Sequence, residues 1–143
     1  MIASLVPIIA MAQTAPSRVI DKGTRSQITA PREVVVRTDA EWEALWREHQ
    51  PARPREPIDF SKEIVVGVFL GSRPTPGYGV TIDNVATVRV NRAGGPADSG
   101  ETTISYRETK PAPDAITAQV ITFPYQIIAI AKSGAKITFK KIQ

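Results

Sequence analysis

The chain has 143 residues, 42% of them hydrophobic, which is the size of one domain with one core and excludes a mainly disordered protein. It has no cysteine, so disulfides, zinc–thiolate centres and a cysteine nucleophile are excluded. Its 18 basic and 14 acidic residues leave a net charge of +4, but the basic residues are spread along the chain, which is a poor footprint for nucleic acid or another polyanion.

The opening MIASLVPIIAMAQ is apolar from Ile2 to Ala10 and ends in Ala10-Met11-Ala12, a small-x-small pattern of the kind signal peptidase cuts. Residues 1–12 are therefore expected to be a signal peptide, although no Lys or Arg precedes the apolar run. The run is too short to span a bilayer, and Gln13 follows the expected cut where a lipoprotein would need cysteine, so no stable membrane anchor is expected. The protein is expected to be periplasmic or secreted. Residues 13–30 mix polar residues with Gly and Pro without a sustained period, which reads as a flexible leader or a loose first strand.

Residues 33–37 are a short β-branched strand. Thr38-Asp39-Ala40-Glu41 then has the form of a capping box, with the Thr38 hydroxyl accepting from the Glu41 amide and the glutamate reaching back to the Thr38 amide. In the helix this starts, Trp42, Leu45, Trp46 and His49 fall on one face, and Pro51, Pro54 and Pro57 end it. Residues 63–71, EIVVGVFLG, are apolar at successive positions, as a strand covered on both faces would be, and the tryptophan face is the expected cover.

Beyond Tyr78 the pattern changes to alternation at Val80, Ile82, Val88 and Val90, and again at Ile104 and Tyr106, as in half-buried strands. NRAGGPADSGE and KPAPDA are connections. AQVITFPYQIIAIAK and KITFKKI are expected to close as a hairpin about Ser133-Gly134. With six to eight strands and one early helix, the expected fold is mainly β (α+β): an antiparallel β-sandwich or open barrel with one N-terminal amphipathic helix packed on it.

The side chains offer little chemistry. His49 is the only histidine and shares a face with two tryptophans, so it reads as packed or capping rather than catalytic. Asp83, Asp98, Glu101, Glu108 and Asp114 have no metal-ligand spacing and read as turn residues or solvated faces. Lys136, Lys140 and Lys141 read as guards of a terminal strand edge. No catalytic residue, metal site or cofactor is expected.

GSRPTPGYGV, residues 71–80, is the exception, because it breaks the most apolar run with concentrated turn chemistry. Pro74 and Pro76 restrict the backbone, Gly77 permits a positive φ, and Tyr78 shares parity with Val80 and Ile82. One reading is a stiff reversal with Tyr78 plugging the core. The other is a rigid contact loop, since a segment ordered before contact loses little entropy on binding. The two are compatible, with Tyr78 inward and Arg73 to Pro76 outward.

DFSKEIVVGVFLGSRPTPGYGVTI, followed later by ITFPYQIIAI, resembles the PrcB C-terminal domain family over about residues 58 to 140, through Gly71, the Pro74-Thr75-x-Gly77-Tyr78 turn and the Pro124-Tyr125 pair. The resemblance implies that residues 31–143 are one PrcB-like β domain, an exported non-enzymatic accessory module named for a subunit of a protease complex. A shorter likeness, of the Pro-Thr-x-Gly-Tyr turn alone, is to chagasin-type proteinase inhibitors. The expected function is protein binding, with an exported peptidase as partner in an accessory or inhibitory role. Arg73, Pro74, Thr75, Pro76, Gly77 and Tyr78 are the expected contact loop, with Pro124 and Tyr125 as adjacent surface. The alternatives are a small hydrolase of unrecognised type and a cell-envelope polyanion-binding protein.

Overall fold

The apolar segments EIVVGVF and YQIIAIA lie side by side at the centre of the fold. The computed structural model describes residues 10–14, 16–90 and 100–143. Among these, eight strands and one helix follow in the order β1 (Ala10–Thr14), β2 (Ser17–Gly23), β3 (Arg32–Val36), α1 (Asp39–His49), β4 (Glu63–Phe69), β5 (Gly79–Val90), β6 (Gly100–Thr109), β7 (Tyr125–Ala131) and β8 (Lys136–Ile142). They form two four-stranded sheets, β1-β5-β6-β8 and β2-β7-β4-β3, with β4 and β7 central in the second. No ladder joins the sheets into a closed barrel among the described residues.

Both faces of the second sheet are covered, which is why β4 and β7 lack alternation. On one face Val65, Phe69 and Ile127 pack with Trp42, Leu45 and Trp46 of α1. On the other, Ile64, Val66, Ile128 and Ile130 meet Val85 and Ile104 of the first sheet. The layers are therefore helix, sheet and sheet. The first sheet is covered on one face only, and its β6 alternates between buried and accessible residues accordingly.

The helix forms where its cap predicts. Thr38 is extended, and its Oγ1 accepts from the Glu41 amide at 3.2 Å. The glutamate bonds the Thr38 hydroxyl at 3.0 Å rather than the Thr38 amide. Trp42, Leu45, Trp46 and His49 are all buried. The proline-rich segment after the helix folds back so that the Glu56 and Arg53 carbonyls accept from the Trp42 and Trp46 indoles, each at 2.8 Å.

Three expectations change. The helix is not N-terminal, because three strands precede it in the chain. Residues 13–30 are not simply a leader: they supply β2, which pairs with β7, and the buried Ser26 and Ile28. A register shift between Val19 and Asp21 breaks the two-residue period that would have revealed β2. The expected closing hairpin does not form, because β7 and β8 belong to different sheets and β8 instead pairs in parallel with β6. Each strand goes where its pattern can be satisfied: β7, buried at every position from Tyr125 to Ile130, needs two covered faces, and the alternating β8 needs one. Of the expected signal peptide, residues 1–9 lie outside the described residues, while Ala10–Thr14 forms β1 and pairs with β5.

Candidate functional site

The β4–β5 loop is held to its neighbours along its whole length. At its start Gly71 has φ +78°, and a Cβ there would come within 2.8 Å of Pro31 Cδ. Arg73 and Thr122 exchange two backbone hydrogen bonds of 2.8 and 2.9 Å, and the Thr122 hydroxyl donates to the Thr75 carbonyl at 3.2 Å. Gly77, at φ +100°, lies so close to Pro111 that a Cβ would stand 2.8 Å from the proline Cβ.

The Arg73 guanidinium completes the hold. Its Nη1 donates to the Leu70 and Ser72 carbonyls at 3.0 and 2.9 Å, and its Nε pairs with Glu108 Oε1 on β6. The other Glu108 oxygen takes Lys141 Nζ of β8 at 3.0 Å. Arg73 holds the Glu108 carboxyl below the usual carboxylate range, against the opposing effect of burial, and Lys141 adds to the lowering.

The loop thus divides differently from expectation. Arg73 points back as a clamp, with its side chain 23% exposed, because a carboxylate lies behind the loop to receive it. Tyr78 is only half-buried and is absent from the apolar clusters. Ser72, Pro74, Pro76 and Gly77 are exposed, and Thr75 is half-buried. Pro124 and Tyr125 are buried, so neither can offer the adjacent surface expected of them. Tyr125 is buried because β7 is central, and its ring packs on His49 with centroids 4.3 Å apart.

The surface next to the loop comes instead from the connection before β7. A groove of about 520 Å³ runs between residues 24–26 and 120–123, with Pro76 at its rim. Val120 is 55% and Ile121 61% exposed, and Ile116 of the same connection is fully exposed. The sequence reading missed these residues by extending the β7 pattern back through them. The turn chemistry of KPAPDA ends at Ala115, before Ile116, and so gives no signal for them.

His49 lies in a buried polar chain beneath α1. Its Nε2 is 2.9 Å from Asp21 Oδ2 and its Nδ1 is 2.8 Å from Ser26 Oγ. Because the Asp21 carboxylate can only accept, Nε2 carries the proton of the neutral imidazole, and Nδ1 accepts from the Ser26 hydroxyl, whose oxygen also accepts from the Ile28 amide at 3.1 Å. Burial holds His49 below its ordinary pKa, outweighing the raising effect of Asp21. Burial pushes Asp21 up, but hydrogen bonds with His49, Arg53 and Tyr125 bring it below the usual value.

These residue types match a nucleophilic triad, but the surroundings do not. Ser26 is 3% exposed, and the Ser26 and Gln27 amides are occupied by the Phe123 and His49 carbonyls, so neither can hold an oxyanion. The chain ties β2 and the segment after it to the helix.

The carboxylates singled out from the sequence do not converge. Asp83 sits at a bulge of β5 and pairs with Arg107 at 2.5 Å, Glu101 accepts from Thr138 Oγ1 at 2.7 Å, and Asp114 is exposed. Asp98 lies outside the described residues. Among the described residues no group of three or more His, Cys, Asp or Glu could hold a metal, and no helix is long and apolar enough to cross a membrane. Lys136 and Lys140 are exposed on the β8 edge strand, while Lys141 is paired to Glu108.

The family model described as PrcB C-terminal matches residues 64–131, from β4 to the end of β7, with the loop and the exposed connection inside the match. No curated protein and no solved structure matches the chain.

Proposed function

We propose that this chain, whose residues 64–131 carry the PrcB C-terminal family pattern, is an exported, non-enzymatic module that docks on a protein through the tip of its β4–β5 loop. The family's name associates it with a protease, and a peptidase is the partner this reading favours, with the module as accessory or inhibitor. One observation carries the reading: the loop is fastened by Arg73, Thr122 and Pro111, yet Pro74, Pro76 and Gly77 stay exposed. A bend ordered before contact gives up little conformational entropy when it binds.

The test is affinity capture from the proteins of the source cell, its envelope and its medium, with wild-type protein and a Pro74→Glu variant as baits. A peptidase enriched by the wild type and lost with the variant is the expected result. Equal recovery on both baits, or no peptidase on either, would reject the reading.

A further inference from the structure

The groove beside the loop has its own chemistry. Of the exposed large hydrophobic residues among the described ones, Ile116, Val120 and Ile121 stand in a single six-residue stretch, and only Val19 lies elsewhere. Such clustering on a surface marks an interaction site rather than scatter. Val120 and Ile121 form one wall of the groove, and Thr24 and Arg25 belong to the other. The walls are extended chain segments joined at the isolated bridge between Arg25 and Phe123 and by the Phe123 amide, which donates to the Thr24 carbonyl at 2.8 Å.

Arg25 is the one charged residue lining the groove, it is exposed, and it makes no ion pair among the described residues. Arg18, Arg32, Arg47, Arg53, Arg55, Arg73 and Arg107 all have carboxylate partners. Its backbone is nevertheless fixed, since its carbonyl accepts from Gln50 Nε2 at 2.5 Å. A guanidinium without an ion-pair partner, lining the same groove as Val120 and Ile121, is complementary to a ligand that presents a carboxylate next to an apolar side chain. The groove volume is within the range of sites that hold several such groups, about 300–1,000 Å³.

We propose that this groove takes an extended segment of the partner protein, its carboxylate on Arg25 and an adjoining apolar side chain on Val120 and Ile121. The proposal rests on the docking reading above and adds the chemistry of the docked segment. Pro76, which belongs to both the loop tip and the groove rim, makes the two one continuous surface.

Two labelled peptides test it by fluorescence polarisation: Gly-Leu-Glu-Leu-Ser-Gly and the same peptide with lysine in place of glutamate. The glutamate peptide is expected to bind about ten-fold more tightly, with the preference reversed by Arg25→Glu and both affinities reduced by Ile121→Asp. Equal binding of the two peptides, no binding of either, or indifference to both substitutions would overturn the proposal. Both positions are exposed, so the variants should melt with the wild type. The capture experiment keeps the two claims apart. A partner recovered equally by wild type, Arg25→Glu and Ile121→Asp would remove the groove and leave the docking reading intact. Peptide binding without any captured protein would do the reverse.

Discussion

Arg73 and Glu108 join the β4–β5 loop to β6, and Lys141 of β8 takes the other carboxylate oxygen. From the sequence Arg73 is expected to point outward as part of the contact loop. The structure makes it an internal clamp. Arg73→Ala should therefore destabilise the fold by about 1.5–3 kcal/mol, the range for hydrogen bonds to charged groups. Lys141 still compensates Glu108, which keeps the loss below that of an orphaned buried charge. Urea unfolding of the two proteins measures the difference, and an unchanged midpoint would show that the clamp is not formed.

The chain Asp21–His49–Ser26 makes stability depend on acid in two stages. Folded His49 has a lowered pKa because it is buried, so the unfolded chain takes up a proton near pH 6.5 that the folded chain refuses. Stability should be full above about pH 6.5 and fall as the pH drops from there to the folded value. Asp21 is also lowered, and its contribution is present above about pH 3.9 and lost as the pH falls through its folded value. Unfolding free energies across this range should show both stages. In His49→Gln the first should vanish.

Gly77 faces Pro111 at a backbone angle that suits glycine alone. Gly77→Ala combines a strained φ with a Cβ–Cβ approach of 2.8 Å, and is expected to cost about 1–3 kcal/mol. A thermal melt compares it with Pro76→Ala, at an exposed neighbour, where the change should be within about 0.5 kcal/mol.

Two tyrosines separate loop from core. Tyr125 is 3% exposed among Phe69, His49 and the helix, and Tyr125→Ala should cost about 3–5 kcal/mol. Tyr78 is half-buried, and Tyr78→Ala should cost about 1–2 kcal/mol, in proportion to the area it covers. Equal losses measured by denaturant unfolding would place Tyr78 in the core after all.

Local pattern was the readable part of this sequence. The Thr38 cap, the tryptophan face and the two-sided burial of β4 follow from short-range periodicity, and all three are present. What needed long-range partners was hidden. Nothing near Arg73 announces a carboxylate 35 residues away, and the Asp21–His49 contact spans 28 residues. The parallel pairing of β6 with β8 was masked because a short connection around Ser133-Gly134 reads as a hairpin turn, although here it carries the chain from one sheet to the other. The exposure of Val120 and Ile121 was masked by composition alone: hydrophobic residues beside a central strand read as its continuation.

A prearranged docking surface requires the β4–β5 loop to be ordered before anything binds it. Backbone ¹⁵N relaxation of the free protein tests this at Arg73, Thr75, Gly77 and Tyr78, the non-proline positions of residues 73–78. Order parameters of about 0.85, equal to those of β4 and β7, are predicted. Values below about 0.6 at Thr75 and Gly77 would show a loop that orders only on contact, and would contradict a prearranged docking surface.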